Sequence, residues 1–283
     1  MTAEPAYSLD QDRLSPADFN RLATFINGRV GIKMPREKLV MLEGRLRRRV
    51  RAHGMASISE YCAFLFGGNH LAEEAEHLIN AVTTNKTDFF RESRHFDYLR
   101  ETALPALARG GTRRVRAWSA ASSTGAEAYT MAMVLDAFAT AHGNLDYGIL
   151  ATDIDTEVLE TARRGIYPAE MLAPVSASLR RDYVHMSRDP GRQEARIHPR
   201  LRAAVGFARL NLMDDHYLVG DPMQLIFCRN VLIYFDKPTQ EKVLNRLIAC
   251  LAPEGYLFLG HSETIAGMPL PLKAVANTIF QRN

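Results

Sequence analysis

From Ser15 to about Asn80 the apolar residues recur at helical spacing, and no stretch alternates in the manner of a strand. Ser15-Pro16-Ala17-Asp18 has the form of a helix start: a capping hydroxyl, proline at the first helical position and an acid in the first turn. Phe19, Leu22, Ala23 and Ile26 supply the buried stripe, and Gly28 is expected to end it. A second helix is predicted over Pro35–Ala52, stopping at Gly54. A third starts at Ser57 or Ser59 and carries Tyr61, Phe64 and Leu65 as far as Gly67-Gly68. A fourth starts near Leu71 and bears Glu73, Glu74, Leu78 and Ile79. Residues 1–80 therefore read as a small all-helical domain, followed by a linking segment over 81–112.

After Arg113 the period changes. Short β-rich runs at Val115–Ser119, Ile149–Asp153, Val205–Asn211, Leu225–Cys228 and Tyr256–Leu259 are interleaved with helical patterns at Ala126–Ala139, Thr156–Arg164 and Lys237–Leu251. Alternation of this kind predicts a doubly wound, mostly parallel α/β domain over 113–283, with ligands at the carboxyl ends of its strands. Thr278–Arg282 is expected to form an antiparallel edge strand. Between Pro174 and Arg202 the pattern breaks, with many arginines, Pro190-Gly191 and Pro199. This is too long for a plain loop, so an inserted hairpin or small β-subdomain is expected near 174–202.

Bulk properties narrow the function classes. At 283 residues two domains are expected, and a net charge of +3 supports no global polyelectrolyte role. The three cysteines (Cys62, Cys228, Cys250) include no C-x-x-C pair, which suits reduced thiols in a cytoplasmic protein. Met1–Arg13 is polar and does not read as a signal peptide, and Asp136 interrupts the best candidate for a membrane span.

The chemistry concentrates at predicted strand ends. Asp153 closes the apolar run that begins at Tyr147, a place suited to accepting hydrogen bonds from a ribose diol. The preceding strand runs into Ser122-Ser-Thr-Gly125 and then a helix. A pyrophosphate would need several closely approaching glycines, and only Gly125 is present. The donor is therefore expected to be S-adenosylmethionine (SAM) rather than a dinucleotide. Glu127 suits an α-amino group or, more simply, the helix dipole. Ile226–Asp236 places Arg229-Asn230 at another strand end, facing a site or held in a structural salt bridge, with Tyr234 just beyond. On the second helix Leu39, Leu42, Leu46 and Val50 fall on one arc, and Arg45, Arg47, Arg48, Arg49 and Arg51 on the other, with only Glu43 as a nearby acid. That face is either solvated or meets an acidic protein helix or a nucleic acid. No histidine or cysteine spacing suggests a metal or a covalent nucleophile, and Cys228 reads as a core residue.

Six segments together resemble the CheR-type chemotaxis methyltransferases: Asn85–Glu92 (N-x-T-x-F-F-R-E), Ser123–Glu127 (S-T-G-x-E), Ala151–Asp155 (A-T-D-I-D), Asn211-Leu212, Cys228–Asp236 (C-R-N-V-x-I-Y-F-D) and Gly260–Glu263 (G-H-S-E). The resemblance covers nearly the whole chain. It implies SAM-dependent methylation of glutamate side chains on chemoreceptors. By residue, it implies that Asn85, Thr87 and Arg91 contact the methionine part of SAM, Glu127 its amino end and Asp153 the ribose. Asn211, Leu212, Arg229 and Asn230 would frame the adenosine side, and Tyr234 with Arg229 would place the incoming glutamate. It further implies that the basic helix, through Arg45, Arg48 and Arg49, engages acidic receptor helices. In some members of the family the β-subdomain docks a receptor's C-terminal peptide. Nucleic acid and membrane insertion are not expected. Ala126 and Ala128 stand where the pattern usually has a second acid and a proline, which puts the local helix packing in question. A nucleic-acid methyltransferase and a non-catalytic SAM-binding adaptor are the competing classes.

Overall fold

The computed structural model describes residues 13–68, 70–143, 145–189 and 191–283. The polar N-terminal stretch judged above lies outside these residues except for Arg13, as does Pro190 of the Pro190-Gly191 break. The chain divides into two compact units, Met1–Thr84 and Asn85–Asn283.

The first unit is helical: α1 Pro16–Val30, α2 Leu39–Ala52, α3 Ile58–Gly67 and α4 His70–Val82. Ser15 caps α1 by accepting the Asp18 N–H at 3.0 Å, and Ser57 caps α3 by accepting that of Glu60. The first helix runs past Gly28 and ends at Gly31, which is left-handed at φ 71°. Val30 explains the extension. It continues the buried stripe one turn beyond Ile26, and that burial outweighs the ~1 kcal/mol cost of an interior glycine.

The arginines of α2 are better compensated than their sequence neighbours suggest. Glu74 of α4, 8% exposed, accepts from Arg49 at 2.8 Å, lies 2.9 Å from the His53 ring nitrogen and accepts from the Tyr61 hydroxyl at 3.0 Å. Arg45 donates to the Val82 and Thr83 carbonyls, which close the end of α4, and to the Thr84 hydroxyl. Glu43 is itself buried and accepts the Leu14 N–H. Arg48 and Arg51 lie on the exposed side of the helix.

The second unit opens with α5 Arg94–Tyr98 and α6 Leu104–Arg109, then alternates β1 Arg114–Ala120, α7 Ala126–His142, β2 Asp146–Asp153 and α8 Thr156–Arg164. There follow β3 Ile166–Pro168, α9 Ala177–Tyr183, β4 Val184–Met186, β5 Glu194–Ile197, α10 Pro199–Ala204 and β6 Val205–Arg209. The chain closes with β7 Met223–Cys228, α11 Lys237–Cys250, β8 Leu251–Leu259, β9 Leu272–Ala276 and β10 Ile279–Arg282.

The main sheet has seven strands in the order β6-β2-β1-β7-β8-β10-β9. The first five run parallel, while β10 is antiparallel to both β8 and β9. The C-terminal strand is thus antiparallel as expected but lies inside the sheet. The edge is β9, a partner with too little apolar patterning to stand out. Progression reverses between β1 and β7, so the crevice at this switch point is where a ligand is expected. The insert is a separate antiparallel sheet, β3-β5-β4, and it begins at Ile166, before the predicted segment. Ala126 and Ala128 are fully buried within an unbroken α7.

Replacing Glu74 by alanine leaves the Arg49 charge and the Tyr61 hydroxyl without their partner. The expected loss is about 3 kcal/mol of unfolding free energy, read by urea denaturation, with Glu73→Ala on the exposed side near zero.

Candidate active site

The segment Asn85–Glu92 is strapped across the carboxyl ends of the central parallel strands. At the β2 end, the Asn85 side-chain amide donates to Asp155 at 2.6 Å. After β1, the Ser123 hydroxyl donates to the Asn85 carbonyl at 2.8 Å. On α7, Thr130 accepts the Phe90 N–H at 3.2 Å. After β7, Arg229 donates to the Arg91 carbonyl and to Glu92 at 2.9 Å, and the Asn230 amide donates to Glu92 at 3.0 Å. After β8, the His261 backbone N–H donates to Glu92 at 3.3 Å.

Arg229 was expected to face a ligand, with a structural salt bridge as the alternative. Its side chain is 1% exposed and ion-paired with Glu92 and with Glu127, the latter at 3.2 Å. A guanidinium so enclosed meets an incoming carboxylate only by leaving its cage. Arg229 thus adopts the salt-bridged arrangement. The two carboxylates it serves differ. Arg229 and the Asn230 amide, outweighing the cost of burial, hold the Glu92 carboxyl down at about 2. Glu127 is pushed up by burial, against the pull of Arg229 and of the Ser119 hydroxyl that donates to it at 2.7 Å.

Two residues that the sequence did not single out complete this corner: Glu92 and Glu263. Glu263 accepts the backbone N–H groups of Asn230, Val231, Leu232 and Gly260 at 2.5–3.0 Å, and so shapes the turn that leads to Tyr234. A Cβ on Gly260 would meet the Asn230 amide nitrogen at 2.6 Å, so only glycine fits there. Phe90, Glu92, Ala121, Ser123 and Asn230 all hold left-handed backbone, with φ of 52, 57, 59, 51 and 58°. Strain gathered at the strand ends in this way is characteristic of a ligand-binding site.

Asp153, 6% exposed, accepts the Ser123 N–H at 2.8 Å and the Asp155 N–H at 3.0 Å. With the Ile154 N–H as a further backbone donor, the carboxylate still keeps capacity for one more. Burial raises its carboxyl to about 6 despite those bonds. Gly125 turns the chain into α7 with φ 87°, and a Cβ there would meet Ala162 at 2.8 Å. Nearby, the buried Ser122 hydroxyl has no partner among the described residues. A buried carboxylate at a strand end, one close backbone turn and an orphaned hydroxyl together suit an adenosyl donor lacking a diphosphate. Asn211 and Leu212 follow β6 beside this corner, where the Leu210 N–H donates to the Asp153 carbonyl. Tyr167 of β3 donates to the Thr124 carbonyl at 2.6 Å and packs edge-on against Phe89. The small sheet therefore touches the turn directly.

Residues 85–280 match the family model described as the CheR methyltransferase SAM binding domain, and residues 17–83 match its all-alpha domain. The chain belongs to the CheR methyltransferase family. It is 37% identical to chemotaxis protein methyltransferase 2 of Pseudomonas aeruginosa over 281 residues, covering 99% of this chain and 98% of that protein. The chemotaxis protein methyltransferases of Salmonella typhimurium and Escherichia coli are each 41% identical over 268 residues. Both cover 94% of this chain, with 90% and 91% of their own lengths. As a CheR enzyme the chain is a SAM-dependent protein-glutamate O-methyltransferase acting on methyl-accepting chemoreceptors. No helix among the described residues is long and apolar enough to cross a membrane.

Two outcomes check this geometry. SAM affinity should be level above about pH 7, halve near pH 6 as Asp153 protonates, and approach a tenfold loss per unit below about pH 5, as read by calorimetry; Asp153→Asn should bind weakly and flatten the profile. Tyr167→Phe should lower the unfolding free energy by about 1 kcal/mol, the worth of one hydrogen bond, as read by urea denaturation.

Proposed function

We propose that the residues at these strand ends divide the work of methyl transfer between holding the donor and aiming the acceptor, with no group acting as a base. An acceptor glutamate, with an ordinary pKa of about 4.3, is already ionised at neutral pH and presents a nucleophilic oxygen without losing a proton. Bound SAM supplies an electrophilic methyl on a sulfonium, displaced in line by that oxygen. Because opposite charges are neutralised as the bond forms, exclusion of water from the cleft favours the step. Orientation then carries most of the catalysis, an effect worth about 7–11 kcal/mol when reacting atoms are held close.

In this reading Asp153 accepts the ribose hydroxyls, and Asn211 and Leu212 flank the adenosine. Asn85, Thr87 and Glu127 hold the methionine end, Glu127 through its carboxylate and the amino group. Arg91 and Tyr234 position the glutamate, while Arg229 and Asn230 keep the Arg91 backbone in place. The observation that carries this assignment is the Arg229 bond to the Arg91 carbonyl, which fixes the segment bearing Asn85, Thr87 and Arg91 to the end of β7. For the receptor, the arginine face of α2 offers cations to acidic helices. Arg48 is the exposed member of the expected trio, whereas Arg45 and Arg49 bond within the helical unit. The β3-β5-β4 sheet ends in β3 and β4, and addition of a peptide strand to such an outer strand is the way a receptor's C-terminal segment would dock.

Arg91→Ala should lower kcat by at least a hundredfold on receptor cytoplasmic fragments with the melting temperature unchanged; near-normal transfer would refute the role of Arg91. The product should be a base-labile ester, and nucleic acid should accept no label. Removing the fragments' C-terminal tails should raise KM if the small sheet docks them, and leave it unaltered if it does not.

A further inference from the structure

Beside the Arg229 corner, and sharing Glu92 with it, lies a cluster whose two histidines the methyl-transfer reading does not use. Glu92, His95 and His261 each bring one ligand-type atom to a common point, all within 4.8 Å of one another. His95 Nδ1 lies 3.6 Å from Glu92 Oε2, and His261 Nε2 lies 3.9 Å from the same oxygen. The two imidazoles meet edge-on with centroids 5.1 Å apart.

The decisive feature is an unpartnered nitrogen on His95. Its Nε2 lies 3.0 Å from the Thr278 hydroxyl. Its buried Nδ1 has no hydrogen-bond partner among the described residues, and the side chain is only 2% exposed, so bulk water does not reach it. That nitrogen stands 3.6 Å from Glu92 Oε2, too far for a hydrogen bond but close to the spacing of two ligands on one ion.

We propose that Glu92, His95 and His261 form a binding site for a divalent transition metal ion of the zinc class, and that filling it draws Glu92 away from Arg229 and slows methyl transfer. Two neutral imidazoles and one carboxylate form a donor set that zinc accepts while keeping an open position. In a tetrahedral site with bonds near 2.0–2.1 Å, ligand atoms stand about 3.4 Å apart. The two distances to Glu92 exceed this by only a few tenths of an ångström. His261, 45% exposed, has room to turn and close the gap. Arg229 is the opposing term: it bonds the same Oε2 at 2.9 Å, and its charge repels a metal. The two cations therefore compete for one oxygen. Since Arg229 fixes the Arg91 carbonyl through the same guanidinium, that competition reaches the site.

The test uses the full chain without an affinity tag, stripped with a chelator and titrated with zinc in a calorimeter, alongside a methyl-transfer assay on receptor fragments. One zinc per chain should bind at micromolar concentration and lower turnover severalfold. His261→Ala, which keeps the backbone N–H to Glu92, should weaken zinc at least tenfold, and its own transfer rate with and without zinc should be the same. Cys250→Ser, removing the partly exposed thiol, should change neither result. No stoichiometric binding, binding indifferent to His261→Ala, or bound zinc without effect on turnover would each overturn the proposal.

Discussion

One buried guanidinium governs the catalytic unit. Arg229 lies at the end of a central strand with 1% of its side chain exposed, where an unpaired charge would cost several kcal/mol. Its compensation comes from Glu92 and the Arg91 carbonyl, which belong to the segment before the sheet, and from Glu127, which belongs to α7. None of these can move away alone without stranding a charge. The segment that bears Asn85, Thr87 and Arg91 is therefore tied to the strand ends by electrostatics, and Asn230 and His261 add hydrogen bonds to the same carboxylate. Phe96 and Phe227 wall the guanidinium at 5.4 and 6.0 Å from their ring centres, which keeps water out and strengthens every bond it makes.

This constraint accounts for the backbone strain around it. A left-handed non-glycine residue is held only where its surroundings over-determine it. Glu92 and Asn230 qualify because their side chains bond each other, Glu92 is also held by Arg229, and the Asn230 N–H by Glu263. Ser123 qualifies because its N–H and hydroxyl are fixed by Asp153 and Asn85. The same contacts position the groups assigned to the donor, so the stability of the strand ends and the shape of the site rest on one set of bonds.

Much of this was legible in the sequence, and the omissions have physical reasons. Alternation of β and α periods gave the parallel sheet, and the strand-end acid and single turn glycine distinguished an adenosyl donor from a dinucleotide. The end of α1 was misplaced because an exposed Gly28 costs less than burying Val30 gains. The edge strand was missed because β9 is half-exposed and carries little pattern. Arg45 and Arg49 looked uncompensated because their partners, the α4 end and Glu74, are distant in sequence. Glu92 and Glu263 lay within motifs but showed no role, since a carboxylate that accepts backbone or guanidinium donors leaves no periodic signature. The ion pairs of Arg229 with Glu92 and Glu127 join residues far apart in sequence, so the sequence left its salt bridge as an alternative only.

The central claim is that Arg229 and Glu92 hold each other, and a double-mutant cycle in urea measures that coupling without reference to activity. With Arg229→Met, Glu92→Gln and the double variant, the account predicts that the two losses fall short of adding by about 2–3 kcal/mol. Losses that add to within about 0.5 kcal/mol would mean that the pair does not secure the segment, and would contradict the account.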